Sequence, residues 1–325
     1  MFAKMIEAEM ASVAREVGAF IDSMLGRKDA LFRSAHHLPS HGGKRMRPYL
    51  VVKSCEAVGG ERGAAIGPAA AVELLHNFTL VHDDIMDNDT MRRGVPTVHV
   101  IWGIPTAILA GDLLFAEAFQ AILRSTLDDR KARAAASALA DATVRLSIGQ
   151  FQDMSFEERE EITEGEYLEM ISGKTAALFQ ACAEIGAIVG GGSEDGIAKL
   201  GAYGWNLGMA FQIFDDYLGI TSNEEELGKP IGNDLREGKK TLIVIRGMQT
   251  PSRGMIKSLL GNKNASQAEL ASLISSLEGD GVLDYVRGKA LGYVEEAKKA
   301  LSSLPDSEPK KSLTQLVEFA VMRKK

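Results

Sequence analysis

The chain has 325 residues, 45% apolar and 25% charged, with 37 Lys and Arg against 44 Asp and Glu for a formal charge of −7. This length and composition suit a globular protein with a large core and exclude disorder, collagen and a disulfide scaffold. The mild acidity and the lack of a basic stripe speak against a nucleic-acid partner. Proline is the most informative residue: only nine occur and none lies between Pro105 and Pro230. That stretch is rich in Ala, Leu, Glu, Gln and Met, which predicts long helices, and the low aromatic content of 6% leaves little to build a sheet.

In chain order, the N-terminus is amphipathic and carries Glu7, Glu9 and Glu16, which predicts a helix rather than a secretory signal. His36, His37 and His41 fall in a Pro/Ser/Gly-rich stretch and read as loop histidines. Gly42 and Gly43 form a turn that presents Lys44, Arg45 and Arg47 together. Pro68 is placed to start a helix that meets no breaker before Gly94. This helix is apolar around most of its surface yet carries Glu73, His76, Asp83, Asp84 and Asp87 at spacings that predict one stripe. Arg92 and Arg93 follow. The apolar stretch Ile104–Leu123 is long enough to span a bilayer, but Asp112 and Glu117 interrupt it and predict a buried helix, so no transmembrane segment is expected. Lys174 precedes a long apolar segment, and the Gly-rich run at 190–196 follows a helix and reads as a connection rather than a nucleotide loop. A second acidic pair, Asp215 and Asp216 with Gln212 nearby, again sits in an apolar helix, with Lys229, Lys239 and Lys240 after it. Cys55 and Cys182 have no paired spacing and predict core thiols in a reducing cytoplasm. The breaks are short throughout, so residues 1–325 are expected to form a single all-α domain.

Two acidic pairs inside apolar helices demand a chemical reason. Asp83 and Asp87 stand one turn apart, with Cβ atoms about 5–6 Å from each other, and repel unless a cation intervenes. Two carboxylate helices facing across a cavity suit hard divalent cations, and Mg²⁺ accepts such incomplete carboxylate sets when substrate phosphates supply its other ligands. The metal therefore implies a phosphorylated ligand. Each basic group taken singly reads as a solvated surface charge. Their placement beside the Gly turns and acidic motifs makes them candidates for the phosphate side.

These residues resemble the trans-isoprenyl diphosphate synthases, the polyprenyl synthetase family. The resemblance rests on Gly-Gly-Lys-Arg-Met-Arg-Pro at 42–48, the segment 73–87 ending in Val-His-Asp-Asp-Ile-Met-Asp, Arg-Arg-Gly at 92–94 and Ala-Gly-Asp at 110–112. It continues through Gly-Lys-Thr at 173–175, Phe-Gln-Ile-Phe-Asp-Asp at 211–216 and the segment 228–241, all in the family's order. The sequence looks closest to archaeal-type short-chain members, some of which share Gly219 where the family's second motif often has Asp.

The resemblance implies an isoprenoid synthase fold, a bundle of long, mostly antiparallel helices around a deep central cavity. It implies a homodimer and a reaction that condenses isopentenyl diphosphate with dimethylallyl, geranyl or farnesyl diphosphate. It also implies three Mg²⁺ ions with substrate bound, Mn²⁺ being an alternative. Asp83 and Asp87 would hold two of them with Asp84 in support, and Asp215 the third with Asp216 nearby. Arg92, Lys174, Lys229 and Lys239 would bind the allylic diphosphate. Lys44, Arg47, His76 and Arg93 would bind isopentenyl diphosphate. Thr175 and Gln212 would lie beside the allylic carbons.

Chain length would be set by Phe78, five positions before Asp83, and by the small Thr79. This arrangement resembles geranylgeranyl (C20) producers, with farnesyl (C15) or longer products as alternatives. A class I terpene cyclase normally has an Asn/Ser/Glu metal triad in place of Asp215-Asp216 and lacks a Lys44-to-Arg47 site. A non-catalytic partner subunit would be expected to lack an acidic motif.

Overall fold

The computed structural model describes residues 2–221 and 232–322. It is helical almost throughout. Helices α1 (Phe2–Leu25), α2 (Ala30–Ser40), α3 (Met46–Ala57) and α4 (Arg62–Met86) are followed by a hairpin of two two-residue strands, β1 (Met91–Arg92) and β2 (Val95–Pro96). Then come α5 (Val98–Trp102), α6 (Ile104–Leu123), α7 (Asp129–Glu158) and α8 (Glu164–Ile171). A π-helical turn at Ser172–Ala176 leads into α9 (Ala177–Gly190) and α10 (Glu194–Thr221). After it come α11 (Asn233–Glu237), α12 (Leu242–Gly247), α13 (Arg253–Leu259), α14 (Gln267–Gly279), α15 (Val282–Leu301) and α16 (Glu308–Met322).

The chain divides into two compact units. The first comprises residues 1–140, 181–201 and 304–313. Its core begins with the stripe Ile6, Met10, Val13, Val17 and Ile21 of α1, spaced three or four apart as an amphipathic helix requires. At its centre lies α4, which packs on α1, α3 and, most extensively, α6. Gly111 makes that last approach possible, because a Cβ there would stand 2.1 Å from His82 Nε2. Both cysteines are buried and free, as the sequence predicts for core thiols.

Two sequence expectations are corrected here. Helix α4 starts at Arg62, six residues before Pro68, which lies inside it. At this seventh helical position the proline gives up the hydrogen bond to the Ala64 carbonyl and crowds it, and burial of the surrounding alanines holds the turn. Helix α6 is not buried all round: Ile104, Ile108 and Leu109 are exposed, as is Asp112, so one apolar face lies open. Among the described residues, α4 and α6 are long and apolar enough to cross a membrane; 72% of the most apolar stretch of α4, but only 39% of that of α6, is buried within the protein.

The second unit comprises residues 141–180, 202–303 and 314–325. Its core joins Tyr167, Met170 and Ile171 to Met209, Ile213 and Phe214 of α10, and extends through Leu242, Ile243 and Leu273 to Val286. The π turn is wedged into this unit by glycines. A Cβ at Gly149 would lie 2.2 Å from the Lys174 nitrogen, and one at Gly208 would lie 2.6 Å from Ala176 Cα. The Gly-rich run after α9 is a helix connection, as expected, with Gly191 in the left-handed region.

Candidate active site

Helix α4 presents its polar residues on two neighbouring stripes rather than the one predicted. Glu73, Asn77 and Asp84 are buried, whereas His76 and Asp83 are half-buried and Asp87, the residue that caps the helix, is exposed. The rotation of 100° per residue separates Asp83 from Asp84 and gives them different partners. Arg92, at the end of β1, donates to Asp84 Oδ1 at 2.6 Å and to Asp89 at 3.1 Å. Asp84 Oδ2 is buried without a hydrogen-bond partner. Burial raises the Asp84 pKa above the ordinary carboxylate value, against the pull of Arg92.

The basic loop before α3 is built on unusual backbone. Gly42, Gly43 and Arg45 all have positive φ, as does Arg93 in the turn between β1 and β2. Gly43 lies flat against the Arg93 guanidinium; a Cβ there would approach it to 3.1 Å. Arg45 pairs with buried Glu73 and with the Pro39 carbonyl. Arg93 donates to the Leu38 carbonyl at 3.0 Å and Asn77 Oδ1 at 3.1 Å, and stands 3.7 Å from Glu73. Arg47 Nη1 lies 3.3 Å from His76 Nε2. Burial, then Arg47, Arg93, Arg45 and Arg92, hold the His76 pKa well below the ordinary imidazole value, so this ring is neutral. The unit thus gathers Arg47, His76 and Arg93, with Lys44 exposed on the loop before α3. Glu73 anchors Arg45 and Arg93, and Asn77 anchors Arg93, roles that sequence reading did not assign.

The histidines are corrected as well. His36 and His37 lie on α2 and His41 caps it, because Pro39 is tolerated in the last turn. Their contacts are local: His36 with Asp22, His37 with the Pro96 carbonyl, His41 with the His37 carbonyl. On α4, Phe78 meets His82 edge-on and packs against Phe115 of α6 at 5.3 Å, which in turn packs on Phe119. Thr79 is buried, its hydroxyl donating to the His76 carbonyl.

In the second unit, Lys174 sits in the π turn and pairs with Asp153 of α7. Thr175 donates to Gln212 Oε1 at 2.8 Å, and Gln212 Nε2 donates to Asp216 Oδ1 at 2.8 Å. The buried Tyr167 hydroxyl completes the network by donating to Asp216 Oδ2 at 2.7 Å. Burial and the nearby Asp234 raise the Asp216 pKa, against the Tyr167 and Gln212 hydrogen bonds that favour its ionised form, while burial and Asp216 hold the Tyr167 phenol well above its usual value. Asp215, one residue along α10, is exposed. Gly219 has Asp234 beside it, with Oδ2 3.1 Å from where a Cβ would stand. Lys239 lies 3.1 Å from Glu237 and 3.9 Å from Asp234. Lys229 lies outside the described residues. Asp153 and Tyr167 were missed in sequence; a Gln-x-x-Asp step at 150–153 on a helix was the available signal for the first.

No group of three His, Cys, Asp or Glu side chains forms a preassembled metal cage among the described residues. The donor chemistry nevertheless fits Mg²⁺, which is held by one or two carboxylates and completed by phosphates and water. Asp83, Asp87 and Asp215 are carboxylates with solvent access, and the buried, unpartnered Asp84 oxygen backs the first pair.

The sequence matches the family described as Polyprenyl synthetase over residues 28–277. The short chain isoprenyl diphosphate synthase of Methanothermobacter thermautotrophicus is 46% identical, covering 91% of each chain. The geranylgeranyl diphosphate synthase of Saccharolobus solfataricus is also 46% identical, again over 91% of each. The crystal structure of geranylgeranyl pyrophosphate synthetase from Pyrococcus horikoshii superposes with a TM-score of 0.94 at 41% identity, covering 99% of this chain and 100% of the other. The chain belongs to the polyprenyl synthetase family and is a trans-prenyltransferase with the isoprenoid synthase fold. Enzymes of this family use isopentenyl and allylic diphosphates and generally depend on Mg²⁺.

Proposed function

We propose that this enzyme extends allylic diphosphates by isopentenyl units and releases chiefly geranylgeranyl diphosphate. The observation that carries the product assignment is Phe78, one and a half turns before Asp83 on α4 and packed on Phe115, with small Thr79 beside it. An aromatic pair at that depth, about 7.5 Å along the axis from the first aspartates at about 1.5 Å per residue, would stop a growing chain. The archaeal C20 synthases among the relatives support the same length. Farnesyl diphosphate or a longer product is the alternative.

Bound Mg²⁺, three ions when substrate is present, would neutralise the allylic diphosphate and stabilise its departure. Asp83, Asp87 and Asp215 would hold these ions, with Asp84 and Asp216 behind them. Arg92, Lys174, Lys229 and Lys239 would bind the allylic diphosphate. Lys44, Arg47, His76 and Arg93 would bind isopentenyl diphosphate; a neutral His76 serves there as a hydrogen-bond donor. Thr175 donates its proton to Gln212, which leaves the hydroxyl lone pairs for the allylic cation. Neither group is a nucleophile strong enough to trap it. After the new carbon–carbon bond forms, the released diphosphate would take the proton, so no side-chain base is required.

Residues 1–325 read as one catalytic domain, since the family match runs through segments of both units. A second copy of the chain is the occupant that best accounts for the open apolar residues, Ile101, Ile104 and Ile108 on one unit and Ile148 and Phe151 on the other. Two buried free thiols suit a cytoplasmic setting. The test is incubation with Mg²⁺, isopentenyl diphosphate and separate C5, C10 and C15 allylic diphosphates, with products sized by chromatography. All three should converge on C20, and Asp83→Ala or Asp215→Ala should cut turnover by about 10³-fold or more with an unchanged circular dichroism spectrum. A C15 end product, a cyclised hydrocarbon or near-normal turnover in either variant would overturn the assignment.

A further inference from the structure

We propose that Tyr167 is a positioning residue that sets the orientation of the Thr175–Gln212 pair through Asp216. The four side chains form one line whose donors converge on Asp216 from both sides. Tyr167 of α8 is 1% exposed and gives its hydroxyl proton to one oxygen of Asp216, whose other oxygen receives the Gln212 amide. A carboxamide has a donor end and an acceptor end, and the partner of one end decides what the other offers. With its NH₂ fixed on Asp216, Gln212 must show its oxygen to Thr175, and Thr175 must donate.

Asp216 and Gln212 stand one turn apart on α10, while Thr175 is held in the π turn that Gly149 and Gly208 confine. The backbone therefore fixes three of the four positions. What it does not fix is the rotation of the Asp216 carboxylate, and Tyr167 supplies that. Without the phenol, a buried Asp216 oxygen loses its donor and the carboxylate turns toward another. Gln212 is then free to flip its NH₂ toward Thr175, whose oxygen accepts from the amide and so offers one lone pair fewer to a developing cation.

This inference rests on the reading of Thr175 and Gln212 as groups beside the allylic carbons. The full-length Tyr167→Phe enzyme tests it, because Phe keeps the volume and removes only the hydroxyl. The expected result is a fall in kcat of about 10- to 100-fold, an isopentenyl diphosphate KM within about twofold of the parent, and a larger share of allylic diphosphate lost to water as the allylic alcohol. Calorimetric affinity for a non-reactive thiolo analogue of the allylic diphosphate should be unchanged. Thr175→Val should lower kcat similarly, and the double variant should lose little more than either single one, because both act on one pair.

A lowered melting temperature with kcat and product partition unchanged, or fully additive losses, would overturn the inference. If Tyr167→Phe fails to fold, an unaltered alcohol share in Thr175→Val would do so instead. Failure of the wild-type enzyme to elongate any allylic substrate would defeat the underlying functional reading; a wild type that elongates alongside an indistinguishable Tyr167→Phe would defeat this inference alone.

Discussion

Residue types showed where the charges sit, but their hydrogen bonds required the fold. Asp83 and Asp84 are adjacent in sequence and were read on one stripe; on the helix one is half-buried and the other is buried against Arg92. Glu73 looked like one more acidic residue on the stripe, yet it is the buried anion that pins Arg45 and Arg93. His76 is the residue with the clearest pH consequence. Its folded pKa lies well below that of an unfolded imidazole, about 6.5. The unfolded state therefore binds the proton more readily, so this group leaves stability unaffected above that pH and lowers it as pH falls through it. His76→Gln should lose less melting temperature than the parent between about pH 7.5 and 5.5, as thermal denaturation at both values will show.

Helices and their breaks were legible because proline and glycine are scarce in the right places, and the second acidic pair was legible because carboxylates rarely interrupt apolar helices. The π turn was not, since Ser-Gly-Lys-Thr-Ala carries no local signal of its own; it exists because α7 and α10 press on it through Gly149 and Gly208. Gly149→Ala would drive a methyl into the backbone at Gly173 and Lys174. It should cost about 1–3 kcal/mol by chemical denaturation, the penalty of overpacking, and lower turnover through displacement of Lys174. Helix α4 carries the product-length prediction. Phe78→Ala should shift chromatographic products from C20 to longer chains, and Phe115, already in contact with Phe78, should limit that shift in the single variant.

For the whole molecule, the all-α class followed from composition and the order of motifs. The open face of α6 did not, because alternation of Ile and Leu says that a helix is apolar without saying what covers it. Ile104 and Ile108 are exposed one turn apart on α6, and Ile101 is exposed on α5 just before the Gly103 break. If a second copy covers these residues around a two-fold axis, each substitution enters twice and like charges meet their own images. Ile101→Glu with Ile108→Glu should therefore convert a dimer to a monomer in sedimentation, and a wild-type monomer would refute the pairing. The π turn has a consequence along the entire chain as well. Such a turn houses one residue more than an α-helical turn, so Glu164–Gln180 is in effect a straight helix with a single insertion. Removing Ser172 would restore that straight helix and abolish the wide turn that displays Lys174 and Thr175, with the flanking helices still in phase and composition, charge and motif order all but unchanged. In this enzyme a reading frame of one residue, invisible to any count of residue types, separates a helix that carries Lys174 and Thr175 in register with Gln212 from one that does not.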